Sequence, residues 1–138
     1  MASKYELDIV TPNESFFTGD VEMTIVRTTE GDVGILKDHE LLVAPVSVGA
    51  VRIMIEGKFR NAACAGGFVS VDENKVTIVT DAAEWEDQID IDRAKGAYDR
   101  AKKRLEGSEK EIDVARAQGS LTRATNRLRI AGHTLDHS

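Results

Sequence analysis

Apolar residues in the last third of the chain recur at the spacing of two amphipathic helices. In the first predicted helix, the recurring positions are Ile91, Ala94, Tyr98, Ala101 and Leu105. In the second, they are Val114, Ala117, Leu121, Ala124, Leu128 and Ala131. Alternating steps of three and four residues make one narrow apolar stripe on each helix, with charged residues around the rest. The pattern therefore predicts two helices that pack against each other as a hairpin.

A short turn joins the two predicted helices. Gly107 suits the position just after the first helix, where a left-handed backbone costs glycine little. Ser108 and Glu111 have the spacing of a capping box that begins the second helix. We expect the hairpin to cover residues 90–132. The tail, residues 133–138, has no apolar pattern and is expected to be disordered.

The first part of the chain has a period of two. Tyr5, Leu7 and Ile9 alternate with polar residues, as a half-buried strand requires. Further short apolar runs follow, separated by turns rich in Gly, Asp and Asn. About eight to ten closely spaced strands without crossover helices are typical of an antiparallel sandwich or barrel. The predicted β-domain covers residues 1–84, and residues 85–89 form a connector.

Composition limits the class of protein. The chain has 138 residues, of which 41% are hydrophobic and 30% charged, as in an ordinary globular protein. No apolar run approaches the roughly 20 residues that cross a bilayer, and the first residues lack the apolar segment of a secretory signal. A cytoplasmic chain is therefore expected. Cys64 lies in an apolar strand-like run, which favours a small buried hydrophobe over a reactive thiol.

The net charge of −6 is unevenly distributed along the sequence. Residues 1–89 carry 7 Lys and Arg against 16 Asp and Glu, whereas residues 90–138 carry 11 against 8. An acidic body argues against general nucleic-acid binding, which needs a basic domain surface. A basic C-terminal part instead suits contact with an anion or with an acidic protein surface.

Catalytic and metal-binding patterns are missing from the sequence. Neither GxxxxGK[ST] nor GxGxxG is present, and no Ser or Cys lies in a nucleophile elbow. His39, His133 and His137 lack the spacing to cysteines or carboxylates that a metal site shows. An enzyme is therefore not expected, and neither is a resident metal.

Four charged residues of the predicted hairpin are of types that bind ligands. Asp90 and Arg93 share a face of the first helix, and Arg123 and Arg127 share a face of the second. In an antiparallel hairpin the start of one helix lies beside the end of the other, so these four side chains can converge. Guanidinium groups suit a phosphate chain, and Asp90 suits an amino group on a base. The alternative is an exposed helix pair and a solvated basic face that bind nothing.

Over residues 7–130, the chain resembles the epsilon subunit of bacterial F-type ATP synthases. Each of the motifs that carry this resemblance is short, and it is their order and spacing that are specific. They are Val10-Thr11-Pro12, Gly31-Asp32-Val33-Gly34-Ile35-Leu36 with His39, Gly49-Ala50-Val51-Arg52-Ile53, Gly66-Gly67-Phe68-Val69 and Val76-Thr77-Ile78, followed by the helical hairpin.

The resemblance implies a fold and a set of partners. The fold would be a β-sandwich of about ten strands on the central rotor, contacting the gamma subunit and the ring of c subunits. Glu30, Gly31 and Asp32 match the loop that faces the ring, and His39 matches a position near gamma. The family usually has Pro-Gly-His-x-Pro around this histidine, whereas here the segment is 37–41, Lys-Asp-His-Glu-Leu. Losing both prolines leaves the loop less preset.

The resemblance also implies a role for the hairpin. Folded, it would lie on the sandwich. Extended, its about 40 helical residues would reach about 60 Å along gamma, and its basic second helix would meet the alpha and beta subunits and inhibit ATP hydrolysis. The subunit would then be peripheral, at the cytoplasmic face of the cell membrane, and associated with the membrane only through the complex.

Some members of this family bind ATP in the folded hairpin. Their pattern I-D-x-x-R-A matches residues 89–94, and R-A-x-x-R matches residues 123–127. By this resemblance the ATP-binding residues are Glu84, Ile89, Asp90, Arg93, Arg123 and Arg127, with Arg100 as an accessory cation. Whether Mg²⁺ takes part stays open. Two alternatives stay open as well: the same inhibitory subunit without nucleotide binding, and a small nucleotide-hydrolysing enzyme.

Overall fold

The computed structural model describes residues 3–73, 75–107 and 111–132. The chain divides into two compact units between Trp85 and Glu86, and each is described by itself. The strands of the first unit are β1 (Tyr5–Val10), β2 (Ser15–Val21), β3 (Met23–Thr28), β4 (Gly31–Ile35), β5 (Leu42–Ile55), β6 (Lys58–Val71), β7 (Lys75–Thr80) and β8 (Ala83–Trp85). The second unit contains a 3-10 turn (Glu86–Gln88), α1 (Ile91–Gly107) and α2 (Glu111–Ile130).

The strands form one sheet in the order β2-β1-β7-β6-β5-β3-β4, with β8 paired to β6. Only the β1–β7 pair is parallel among the described strands. The two halves of β6 pair with different strands, Gly67–Val71 with β7 and Ala62–Cys64 with β8. The two long strands β5 and β6 therefore join the β2-β1-β7 part of the sheet to the β3-β4 part.

At two places where the sequence pattern predicts a break between strands, the structure has one continuous strand. The sequence pattern separates residues 41–45 from 51–55 and residues 59–62 from 66–71, but each pair lies in one strand of 14 residues. Gly66 and Gly67 have φ values of +89° and +118°, so these glycines bend β6 without ending it. The predicted sandwich is confirmed, with eight strands among the described residues.

The core of the first unit comes from the alternating apolar positions. The largest of its fully buried apolar side chains are Leu7, Ile9, Val21, Val26, Ile35, Val51, Ile53, Val69 and Ile78. Cys64 belongs to the same cluster, and burial raises the pKa of its thiol to about 12. The prediction of an inert, buried cysteine is therefore confirmed, because the reactive thiolate is disfavoured. At the end of β8, Trp85 stacks on Phe16 with ring centroids 4.5 Å apart.

An ion pair between β1 and β7 makes the stability of this unit depend on pH. Lys75 Nζ lies 2.5 Å from Asp8 Oδ2, and this hydrogen bond lowers the pKa of Asp8 from its ordinary value of 3.8. The carboxylate therefore stabilises the fold above pH 3.8, and this contribution is lost as the pH falls through the lowered pKa. We expect Asp8→Asn to reduce the urea midpoint at pH 7 and to differ much less from wild type at pH 2. An equal difference at both pH values would contradict this linkage, and Asp20→Asn, at an exposed position, serves as the control.

Small residues form the centre of the helical hairpin. The buried positions of α1 are Ala94 and Ala101, and those of α2 are Ala117, Ala124 and Leu128. Ile91 and Val114, at the outer ends of the predicted stripes, are 37% and 36% exposed. The hairpin itself is confirmed, since α1 and α2 pack against each other. Alanine removes little apolar area from water, so this seam contributes less stability than a leucine seam would.

The ends of the helices differ in part from the sequence prediction. Gly107 is the last residue of α1 and lacks the left-handed backbone expected of it. The left-handed glycine after a helix is instead Gly132, with φ +77°, whose N–H bonds to the carbonyl of Arg129 at 3.0 Å. The predicted capping box at Ser108 and the tail 133–138 lie outside the described residues. Trp85, predicted to begin the connector, is the last residue of β8.

Candidate functional site

Asp90 begins α1 as its N-cap residue. Its Oδ1 accepts a hydrogen bond from the backbone N–H of Arg93 at 3.0 Å, and its carbonyl accepts one from the N–H of Ala94 at 3.0 Å. Asp is among the residues that cap helices best. The carboxylate of this exposed residue is therefore held at the positive end of the helix dipole. This capping role is absent from the sequence prediction, although Asp followed by an apolar helix indicates it.

The buried alanines define how the two helices align. Ala94 and Ala124 are equally far from the connection between the helices, and so are Ala101 and Ala117. An antiparallel pair in this register places Asp90 and Arg93, at the start of α1, level with the segment 125–128 of α2. Arg93 and Arg123 directly precede Ala94 and Ala124 and are exposed, while Arg127 is partly buried. The guanidinium of Arg123 turns back along α2, where its Nη2 donates to Ser120 Oγ at 3.3 Å. The convergence of the three arginines with the capped carboxylate therefore stays a prediction from the sequence.

The other predicted nucleotide-binding residues lie in different settings. Ile89 precedes the N-cap and is buried, with 9% of its surface exposed. Glu84 belongs to β8 of the first unit, where its backbone pairs with Ala63. Arg100 is exposed in α1. A β-carbon added to Gly96 would lie 3.2 Å from Arg100 Nη1, so this guanidinium lies over the glycine one turn before it.

The acidic turn between β3 and β4 is a tight hairpin. Thr28 Oγ1 donates to the carbonyl of Gly31 at 2.7 Å and accepts from the N–H of Glu30 at 3.2 Å. Gly31 has φ +113°, which disfavours any side chain at this position. Arg27 Nε donates to Asp32 Oδ1 at 2.6 Å, so the aspartate is held by an ion pair, whereas Glu30 is exposed at the tip.

The segment around His39 forms a turn without the family's glycine and prolines. The N–H of His39 donates to the carbonyl of Leu36 at 3.2 Å, and Asp38 between them has φ +66°. Aspartate tolerates this left-handed backbone better than most residues with a side chain. Asp38 therefore supports the left-handed backbone of this turn without a glycine. The ring of His39 is partly buried, and its Nδ1 lies 2.8 Å from the carbonyl oxygen of Glu40.

Neither a metal site nor a membrane span is found in the part of the chain that the structure describes. There, no three His, Cys, Asp or Glu side chains converge in the way that a metal site requires. In the same residues, no helix has both the length and the apolar composition needed to cross a bilayer. The hairpin arginines and the two turns of the first unit are therefore the candidate sites.

Two family models match adjoining parts of the chain. The beta-sandwich domain of the ATP synthase delta/epsilon chain matches residues 4–86, and the long alpha-helix domain of the same chain matches residues 87–132. The chain belongs to the ATP synthase delta/epsilon family. The predicted resemblance to bacterial F-type epsilon subunits is thus confirmed, as is the arrangement of a β-sandwich followed by a two-helix hairpin.

Individual relatives agree with this family assignment. The ATP synthase epsilon chain of Alkaliphilus oremlandii is 52% identical over 109 residues, which are 79% of this chain and 81% of the relative. That of Halalkalibacterium halodurans is 48% identical over 104 residues, 75% of this chain and 78% of the relative. A chain in the structure of Euglena gracilis mitochondrial ATP synthase, with OSCP, F1 and c-ring, has a TM-score of 0.82 at 25% identity, covering 96% of this chain and 84% of that one.

Proposed function

We propose that this chain is a non-catalytic subunit of the central stalk, which couples rotation to ATP synthesis. Its sandwich would contact the gamma subunit and the c-ring, and its hairpin would bind ATP when folded and inhibit ATP hydrolysis when extended. Such a subunit is peripheral, on the cytoplasmic face of the membrane, and reaches the membrane only through the complex. The observation that supports the regulatory part is the capping of α1 by Asp90 in an antiparallel hairpin, where Oδ1 accepts from the N–H of Arg93 at 3.0 Å.

Two surfaces of the first unit support the stalk contacts. Leu41 and Val43 are 70% and 75% exposed, directly after His39, and Phe68 is 46% exposed. Exposed apolar side chains close together are typical of surfaces that a partner covers, here gamma. The β3–β4 turn presents Glu30 at its tip, with Arg27 fixing Asp32 behind it. A rigid acidic turn of this kind suits the polar rim of the c-ring.

ATP fits the chemistry at the open end of the hairpin. Arg93, Arg123 and Arg127 supply forked donors for the phosphate chain. The N-terminus of α1 adds the positive end of its dipole, which also favours phosphate. Asp90 is an acceptor of the kind that a base amino group would need, and Ile89 is an apolar neighbour for the ring. Arg100 adds a cation further along the same helix.

Binding of this kind would control the hairpin through mass action. Because the arginines come from both helices, only the folded hairpin presents the complete site. ATP at a hundredfold excess over its Kd would stabilise the folded form by about 2.7 kcal/mol. At low ATP the helices would separate and extend, and the basic second helix would then meet acidic surface on the catalytic subunits.

The capping bond of Asp90 favours a second candidate, an inhibitory subunit whose hairpin moves without nucleotide. Under that hypothesis Asp90 is structural and the arginines are solvated. Asp90→Asn separates the two, because asparagine caps a helix about as well as aspartate but lacks the charge. We expect Asp90→Asn to weaken ATP binding about tenfold, the effect of losing one charge-assisted hydrogen bond, as measured by calorimetric titration of the isolated chain.

Matched variants complete this experiment. Arg123→Gln should weaken ATP binding by a similar factor, whereas Arg129→Gln, which removes the same charge from an exposed position of the last turn, should not. If Asp90→Asn binds ATP like wild type while Asp90→Ala does not, Asp90 acts only as a cap and its proposed charge-assisted contact with ATP is wrong. If the wild-type chain does not bind ATP at millimolar concentration, the sensor proposal is wrong. Deletion of residues 90–138 tests inhibition separately, since hydrolysis by the assembled enzyme should then rise. Phosphate release by the isolated chain would instead indicate an enzyme.

A further inference from the structure

The two helices of the hairpin are copies of one sequence pattern. Residues 89–104 and residues 112–127 both follow Ile-Asp-x-x-Arg-Ala-x-Gly-x-x-x-Arg-Ala-x-x-Arg. Each helix therefore contains both halves of the candidate ATP motif. Asp90 and Arg93 at the start of α1 have counterparts in Asp113 and Arg116 at the start of α2. Arg123 and Arg127 near the end of α2 have counterparts in Arg100 and Arg104 of α1.

The structure repeats along with the sequence. Ala94 and Ala101 of α1 correspond to Ala117 and Ala124 of α2, and all four are buried. The glycines also correspond. A β-carbon on Gly96 would lie 3.2 Å from Arg100 Nη1, and one on Gly119 would lie 3.3 Å from Arg123 Nη1. In both helices, an arginine side chain therefore lies over the glycine one turn before it.

This repeat places both sets of charged residues on one face of the hairpin. Two antiparallel helices with equivalent seams are related by a twofold axis perpendicular to the plane that contains them. Such an axis exchanges the helices and their directions but keeps each residue on its own side of that plane. On each helix, the positions one residue before, four residues before and three residues after a buried alanine lie on the same side. Asp90, Arg93, Arg123 and Arg127 occupy these positions at the open end, and their four counterparts occupy them at the closed end.

A groove of about 610 Å³ lies at the closed end, among residues of both helices. Its described lining is Lys103, Arg104, Gly107, Asp113, Arg116 and Ala117. Three members of the repeated set, Arg104, Asp113 and Arg116, are among them. Its volume is within the range of pockets that hold small ligands. Asp113 is the third residue of α2, near the positive end of the helix dipole, which favours an anion, whereas Asp90 precedes the first residue of α1 as its N-cap.

We propose that the closed end of the hairpin is a second anion site, which binds a phosphate chain through Arg104 and Arg116, both of which line the groove. The inference rests on the proposed ATP site, whose chemistry its counterpart residues repeat. The sets differ at one position, because Gly107 stands where the repeat would place a counterpart of Glu84. The closed end thus has the phosphate-binding cations but lacks one of the acidic groups for a base. Its ligand class is polyphosphate, whether free or as the phosphate chain of a nucleotide.

Titration of the full-length chain with tripolyphosphate, in the absence of Mg²⁺, tests the second site. We expect two anions per chain by calorimetry, with amide shifts in NMR spectra at Gly107 for the closed end and at Ile89 for the open end. Arg116→Gln should weaken binding at the closed end at least about tenfold and remove the Gly107 shift, since it deletes one charge-assisted contact. Arg93→Gln should do the same at the open end only. Lys102→Gln, an exposed charge on the other side of α1, should change neither.

The outcomes separate this inference from the proposed function. One bound anion with no response at Gly107, or a Gly107 response unchanged in Arg116→Gln, would overturn the second site while leaving the ATP site intact. If neither the Asp90 variants nor the Arg93 variant weakens ATP binding at the open end, the proposed ATP site is wrong. The response at Gly107 would still test the second site. ATP should shift Gly107 with an affinity similar to that of tripolyphosphate. A Gly107 response to ATP but not to tripolyphosphate would show that the base is recognised, contrary to the proposal.

Discussion

Gly67→Ala is expected to prevent stable folding of the sandwich. A β-carbon at this position would lie 1.8 Å from the carbonyl oxygen of Val79 and 2.8 Å from the Cα of Thr80. Both contacts are with the backbone of β7, so no side chain can rotate away to relieve them. Gly67 also has φ +118°, a conformation that side chains rarely adopt and that alone costs about 1–3 kcal/mol. The β6–β7 pairing must separate locally, which adds the loss of its hydrogen bonds.

The expected loss of more than about 3 kcal/mol is a large part of the about 5–15 kcal/mol that stabilises a domain of ordinary size. Urea unfolding monitored by circular dichroism measures it, together with the fluorescence of Trp85 in the first unit. Gly34→Ala is the matched control, since nothing lies within 4 Å of its β-carbon and its φ is not in the left-handed region. Gly66→Ala should fall between them, because its φ of +89° is strained but its nearest contact is 3.6 Å away. Equal stability of Gly67→Ala and Gly34→Ala would contradict the close approach of β6 and β7.

Local periodicity in the sequence is enough to predict most of the fold. Alternating residues such as Leu7 and Ile9 predict β1, and the alanine spacing predicts the hairpin, because both patterns record which face of an element is buried. The long strands β5 and β6 are not predictable in this way. Gly66 and Gly67 have the composition of a turn, and whether such a pair bends a strand or ends it depends on distant pairing partners.

The candidate site stays a prediction from the sequence, to which the structure adds one feature, the capping of α1 by Asp90. The sequence identifies Asp90, Arg93, Arg123 and Arg127 as residues that an antiparallel hairpin brings together. It does not show that the carboxylate of Asp90 is already bonded to the backbone, because a cap depends on where the helix begins. The internal repeat is visible in the sequence, but its meaning depends on the buried alanines. These set the register and place the repeated charges on one face.

A further expected result concerns the alanine seam and would link the structure to the proposed switch. Ala117 is 1% exposed in the packed hairpin, so the three extra carbons of Ala117→Leu would crowd the buried seam between α1 and α2. Overpacking of this kind typically costs about 1–3 kcal/mol. It would act on the folded hairpin and not on separated helices. We therefore expect faster hydrogen exchange of the α1 and α2 amides, with unchanged exchange in the sandwich strands.

The same substitution should shift function in a defined direction. If about 2 kcal/mol is lost and the folded hairpin becomes the minor form, the apparent ATP affinity falls by up to about 30-fold, because only the folded form binds. ATP hydrolysis by the assembled enzyme should fall as well, since the extended form is the inhibitory one. Ala115→Leu is the matched control: it makes the same change at an exposed position of the same helix, with little change in helix propensity. Wild-type exchange rates in Ala117→Leu would contradict close packing at the seam. Faster exchange with undiminished ATP binding would instead show that the ligand does not require the folded hairpin.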